Sequence, residues 1–194
     1  MNPPFSLIVT DTSPLITLAL AGSLDALLRP GVPVSIPDAV YVEATRVRGA
    51  AGAGEIVEWM NAHLDKVRIV PTEIGIDQQR RFEEGRPTRA LGEQAALEVL
   101  DRFLERDPVA EALLLFEDSD IARRQAIIDE RVSLITTGDF LRELEAAGLI
   151  QSADYVLDRA AERGRNVERQ RQVAPDAATR TRLRQQLQSR GERG

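Results

Sequence analysis

Cysteine is absent from the 194 residues, and histidine and lysine occur once each, as His63 and Lys66. The missing thiols exclude disulfide scaffolds, thiolate zinc sites, iron–sulfur clusters and cysteine nucleophiles together. A lone histidine rules out a His-rich metal site, and a lone lysine leaves the basic chemistry to arginine. No apolar run approaches the roughly 20 residues that span a bilayer; the longest, residues 15–21 and 112–116, stop far short. No basic region precedes the first apolar stretch, so no signal peptide is legible, and the expectation is a cytoplasmic protein without membrane association. A length of 194 residues with 43% hydrophobic content suits one globular domain with a short appendage.

Charge is unevenly spread. Residues 163–194 hold nine Arg against Glu168, Asp176 and Glu192, so the formal net charge of −6 divides into a tail of +6 and a body of −12. A basic arm on an acidic body suits binding of nucleic acid, docking to an acidic partner, or a solvated extension.

Along the chain, short apolar segments alternate with amphipathic ones. Residues 5–11 read as a buried strand ending at a polar turn, after which Ser13 reads as an N-cap with Pro14 in the first helical position. A small helix capped by Ser23 carries Leu24, Leu27 and Leu28. A second strand, Val34 to Ile36, leads at Pro37 into a helix bearing Val40, Val42 and Glu43. Ile56, Val57 and Met60 mark another helix, and Val67 to Val70 a third strand. Residues 73–91 read as a partly helical excursion outside the core. From Gly92 the spacing of Ala95, Ala96, Val99, Leu100, Phe103 and Leu104 predicts an amphipathic helix. Residues 112–116 and 132–135 supply the fourth and fifth strands, with helices expected over 119–129, 139–147 and 152–162. The Arg- and Gln-rich tail lacks a sustained apolar face and reads as a loose helix or disordered. The alternation implies an α/β sandwich, three layers around a mainly parallel five-stranded sheet.

In such a sheet the functional crevice lies beyond the carboxyl ends of the strands. Asp11 ends the first strand, Glu117, Asp118 and Asp120 follow the fourth, and Asp139 follows the fifth. A single strand-end Asp is also an ordinary helix cap or turn former. The helical position of Glu43 puts it on or beside an apolar face, and Glu93 lies in the first turn of its helix, where a carboxylate also suits the helix dipole. Converging carboxylates with one lysine available call for a hard divalent cation, Mg²⁺ or Mn²⁺, which takes oxygen ligands. Such a site can activate water for in-line displacement at phosphorus, which makes phosphodiester hydrolysis the natural reaction.

The segments Ile8-Val-Thr-Asp-Thr-Ser-Pro-Leu-Ile16, Pro37-Asp-Ala-Val-Tyr-Val-Glu43, Gly92-Glu-Gln-Ala-Ala96 and Leu114-Leu-Phe-Glu-Asp-Ser-Asp120 resemble the four acidic motifs of PIN-domain nucleases, the likeness being to the VapC-like toxins and their relatives. The resemblance covers about residues 5–150. It implies a PIN-like nuclease domain over 1–150; residues 151–194, outside the match, read from their composition as a C-terminal helix and a flexible Arg-rich tail. It further implies a Mg²⁺- or Mn²⁺-dependent endoribonuclease acting on RNA, the homodimeric toxin of a toxin–antitoxin pair with a cognate antitoxin as partner. Residue by residue, it makes Asp11, Glu43, Glu93 and Asp118 the catalytic acids and Asp11, Glu93, Asp118 and Asp120 the metal ligands. Among Glu117, Asp118 and Asp120, Asp118 is the favoured fourth acid and Asp120 the second choice. Thr12 and Ser13 match the small polar residues that orient the first Asp, and Asp139 is either an extra ligand or the cap of the last helix, the cap being preferred.

Rival chemistries fail on single residues. A receiver-type phosphoacceptor needs a Lys near a late strand, a haloacid-dehalogenase-like phosphatase needs an Asp where Ser13 stands, and no P-loop motif is present. The remaining alternative is a catalytically weak or inactive PIN-like module that binds RNA or protein.

Overall fold

The computed structural model describes residues 5–47, 49–88, 91–117, 128–172 and 177–191. Five strands, β1 (Leu7–Thr10), β2 (Val34–Pro37), β3 (Val67–Val70), β4 (Ala112–Phe116) and β5 (Val132–Thr136), form one sheet in the order β3-β2-β1-β4-β5. Every pairing is parallel. The helices are α1 (Thr12–Leu20), α2 (Asp38–Thr45), α3 (Ala53–Ala62), α4 (Glu73–Glu83), α5 (Leu91–Arg106), α6 (Thr137–Ala146), α7 (Ala153–Glu162) and α8 (Ala177–Gly191).

Strand side chains alternate between the two faces, and both faces are covered. Leu7 and Val9 of β1 join Leu114 of β4 and Ala96, Val99, Leu100 and Leu104 of α5 in one apolar cluster. Ile8, Leu113 and Leu115 point the other way, into a larger cluster with residues of α1, α3, α6, α7 and α8. This is the expected three-layer α/β sandwich. Its strand order reverses between β1 and β4, and a crevice at such a switch point is where open parallel sheets bind ligands.

Four local expectations change. The helix after β1 begins at Thr12 with Asp11 in the N-cap position, not Ser13, and Asp11 makes no side-chain capping bond. The small helix after Ser23 is a 3₁₀ turn, Leu24–Leu28, also without a side-chain cap. Residues 73–83 form a regular helix, capped by Thr72 Oγ1, which accepts from the Gly75 amide, and buried Gln78 ties it to α2 by donating to the Ala39 carbonyl at 3.2 Å. Polar anchoring of this kind leaves no apolar periodicity to read. Asp139 does not cap α6: Thr136 Oγ1 accepts from the Asp139 amide at 3.1 Å, and the Asp139 carboxylate, buried, accepts from Arg142 at 3.0 Å. The helix expected over 119–129 lies almost wholly outside the described residues.

The tail departs most from expectation. Residues 177–191 form α8, with Leu183 and Leu187 buried in the same cluster as β1 and β4. Arg184 grips buried Glu143 of α6 through two bonds, at 2.7 and 2.9 Å. Arg182 pairs with Glu111, donates to Ser133 Oγ at 3.0 Å and lies over the Phe5 ring. Two leucines four residues apart and acidic partners supplied by the body hold this helix, although its own sequence shows only a faint apolar side. No helix among the described residues is long and apolar enough to cross a membrane.

Candidate active site at the β1–β4 switch point

Asp11 follows directly on β1, and its amide donates to the Leu115 carbonyl of β4 at 3.0 Å, so the sheet fixes its backbone. With no capping duty, its carboxylate turns toward α5 and α2. Glu43 comes from the second turn of α2 and Glu93 from the first turn of α5, while Glu117 follows β4. Thr12 Oγ1 donates to Glu43 Oε2 at 3.0 Å, which draws the tip of an otherwise exposed side chain into the cluster.

Gly92 shows how tightly the acids approach. A Cβ at this position would lie 2.9 Å from Thr12 Oγ1, 3.0 Å from Glu43 Oε2 and 3.1 Å from Asp11 Oδ1. Only the absence of a side chain lets the start of α5 close over the carboxylates. Electrostatics report the same crowding. Burial above all pushes the Asp11 carboxyl from 3.8 up to about 6, with the negative charges of Glu43, Glu93 and Glu117 adding to it against a backbone hydrogen bond at Thr12.

Glu117 is held from the other side. Thr137 Oγ1 donates to its Oε1 at 2.7 Å, and Arg165 donates to its Oε2 at 2.9 Å. Arg165 is itself fixed by Thr17 Oγ1 at 2.9 Å and the Ser13 carbonyl at 3.3 Å. The segment carrying Arg165 thus crosses the mouth of the crevice beside α1.

The structure brings Asp11, Glu43 and Glu93 to one place. Thr12 serves Glu43 by hydrogen bond, and Ser13 contributes its carbonyl to Arg165. Asp139 is turned to Arg142 and is not among the charges raising the Asp11 carboxyl. Asp118 and Asp120 lie outside the described residues. Glu117 is the strand-end acid that the structure brings to the cluster; its signal in the sequence was its place as the first residue after the β4 run. Arg165 carried no signal separating it from the other tail arginines.

An all-oxygen donor set and a glycine-floored approach suit a hard divalent cation. Among the described residues no three acids already stand in ligating geometry. A family model described as a PIN domain matches residues 7–172 of the chain. No curated protein and no solved structure gives a significant match.

Proposed function

Because the chain belongs to the PIN-domain family, whose members are generally nucleases, we propose that it is a divalent-metal-dependent endoribonuclease that hydrolyses RNA phosphodiester bonds. The observation that carries this reading is the convergence of acids on the start of α5 at the sheet's switch point, where Asp11 Oδ1 and Glu43 Oε2 both close on Gly92 and burial beside Glu43, Glu93 and Glu117 raises the Asp11 carboxyl. Holding mutually repelling carboxylates there costs stability, and a module that only binds protein has no use for that cost.

Asp11, Glu43 and Glu93 are the residues that would hold Mg²⁺ or Mn²⁺, with Asp118 and Asp120 as further candidate ligands. When bound, the cation supplies Lewis-acid polarisation of a phosphodiester oxygen and lowers the pKa of water. The chain's own residues set the stage for that chemistry. Thr12 orients Glu43 through its 3.0 Å hydrogen bond, Gly92 admits the carboxylates to close approach, and Arg165 with Thr137 keeps Glu117 in a single orientation. Burial raises the Asp11 carboxyl to about 6, so this ligand is fully available as an anion only above that value. On this reading the protein is the toxin of a toxin–antitoxin pair, a cytoplasmic homodimer restrained by a cognate antitoxin.

The deciding experiment is incubation of the purified chain with labelled RNA in Mg²⁺ or Mn²⁺, with and without EDTA. Cleavage in metal and silence in chelator are expected; cleavage unchanged by EDTA contradicts the mechanism.

A further inference from the structure

Beside the acid cluster lies a polar cleft of about 340 Å³ lined by Ser13, Glu117, Arg165, Asn166, Arg169 and Gln170. Resting on the nuclease reading, we propose that this cleft is a subsite for an RNA backbone phosphate next to the scissile one, with Arg169 as its substrate-binding cation and Arg165 as its fixed wall.

Position comes first. Ser13 lies in the turn of α1 that starts at Asp11, and Glu117 follows β4, the strand paired with β1. The cleft therefore shares its edge with the proposed reaction centre.

Rigidity comes next. Arg165 is bound to Thr17, Ser13 and Glu117 as described above. Five residues on, buried Gln170 accepts from the Gly138 amide of α6 at 3.2 Å through its side chain, and Val167 between them is buried in the core. Arg142 donates to the Gln170 carbonyl at 2.9 Å. The backbone bearing Arg169 is thus pinned on both sides.

Charge distinguishes Arg169 from its neighbours. Arg163 pairs with Glu55, Arg171 with Asp158, Arg182 with Glu111 and Arg184 with Glu143. Most of the tail's positive charge is consumed in holding the tail to the body. Arg169 is exposed and forms no ion pair among the described residues, so its guanidinium is available to a ligand. A hydroxyl from Ser13, an amide from exposed Asn166 and the guanidinium of Arg169 make up a set of donors for phosphate oxygens, with the Glu117 carboxylate in the same cleft neutralised by Arg165. On a body of −12 such a patch offsets the long-range repulsion of a polyanion.

The test measures binding of fluorescein-labelled single-stranded RNA to the full chain in EDTA across a salt series, followed by cleavage in Mn²⁺. Arg169→Gln should weaken binding about 5-fold at low salt and flatten the slope of log affinity against log salt by about 0.7, the value for one lost phosphate contact on a single strand. Arg169→Lys should recover the slope, because it restores the charge. Arg29→Gln, an exposed arginine before β2 at the opposite end of the sheet, should change neither. In cleavage, Arg169→Gln should raise KM and leave kcat within about twofold, as loss of uniform binding does. Wild-type affinity and slope in Arg169→Gln, or an equal loss in Arg29→Gln, overturn the subsite even where RNA is cut. A wild-type chain that binds no RNA overturns it as well. Binding that depends on Arg169 in a chain that cuts no RNA overturns the nuclease reading and leaves the subsite standing.

Discussion

Asp11 concentrates the conflict between folding and function. Its folded-state carboxyl, at about 6 against 3.8, binds a proton more tightly than in the unfolded chain, so the ionised form destabilises the protein. The penalty is complete above about pH 6, shrinks as pH falls toward 4, and vanishes below. Asp11→Asn should therefore abolish RNA cleavage while stabilising the fold by on the order of 1–2 kcal/mol at pH 7.5, a figure discounted for the carboxylate's partial exposure. Urea unfolding of both proteins at pH 7.5 and 4.5 checks the sign: the gain should largely disappear at the lower pH. Gly92 offers a complementary probe. In Gly92→Ala the new methyl meets side-chain oxygens of Thr12, Glu43 and Asp11, so Glu43 and Asp11 should be pushed apart. Cleavage should fall by about tenfold or more, as a misplacement of about 1 Å can cause, with the thermal midpoint almost unmoved. A large fall in the midpoint would show instead that the site cannot yield.

At the scale of elements, the C-terminal helix is part of the body. Leu183 is fully buried and Leu187 nearly so, and buried Glu143 draws its counter-charge from Arg184. Leu183→Ala should cost about 2–4 kcal/mol in chemical denaturation, the range for a buried leucine in a packed core. Arg184→Ala should destabilise more than Glu143→Gln, because the first leaves a carboxylate without its partner and the second removes the need for one. Gly138 makes the same point for the 165–171 segment, since a Cβ there would strike the Gln170 carbonyl. Truncation after residue 164 is accordingly expected to expose core and loosen Glu117, in place of trimming a solvated arm.

For the whole molecule, metal binding, charge and stability are linked. A cation that binds only the folded chain stabilises it by mass action, by about 2.7 kcal/mol at a hundredfold excess over Kd. For a chain of this size that is roughly 5–10 °C in the thermal midpoint. We expect this shift from Mn²⁺ at pH 7.5, a progressive loss below pH 6 as Asp11 takes up its proton, and none in Asp11→Asn at any pH. An undiminished shift at pH 5 would place the cation away from Asp11.

How much was legible follows from the range of the forces involved. Composition and local periodicity determined the five strands, their alternation with helices and hence the three-layer architecture, because burial on two faces writes itself into short apolar runs such as 7–10 and 112–116. The motif spacing likewise singled out Asp11, Glu43 and Glu93, each at the start or on the flank of an element whose direction the pattern already implied. What only tertiary structure decided is long-range and polar. Arg165 reaches Glu117 across 48 residues, and Arg184 reaches Glu143 across 41. The Thr12 hydroxyl goes to Glu43, while its backbone amide serves Asp11. An arginine in a basic run looks the same whether it faces water or a buried carboxylate, since its partner lies elsewhere in the chain. Folding chooses between them by desolvating the acid, and no local pattern records that choice.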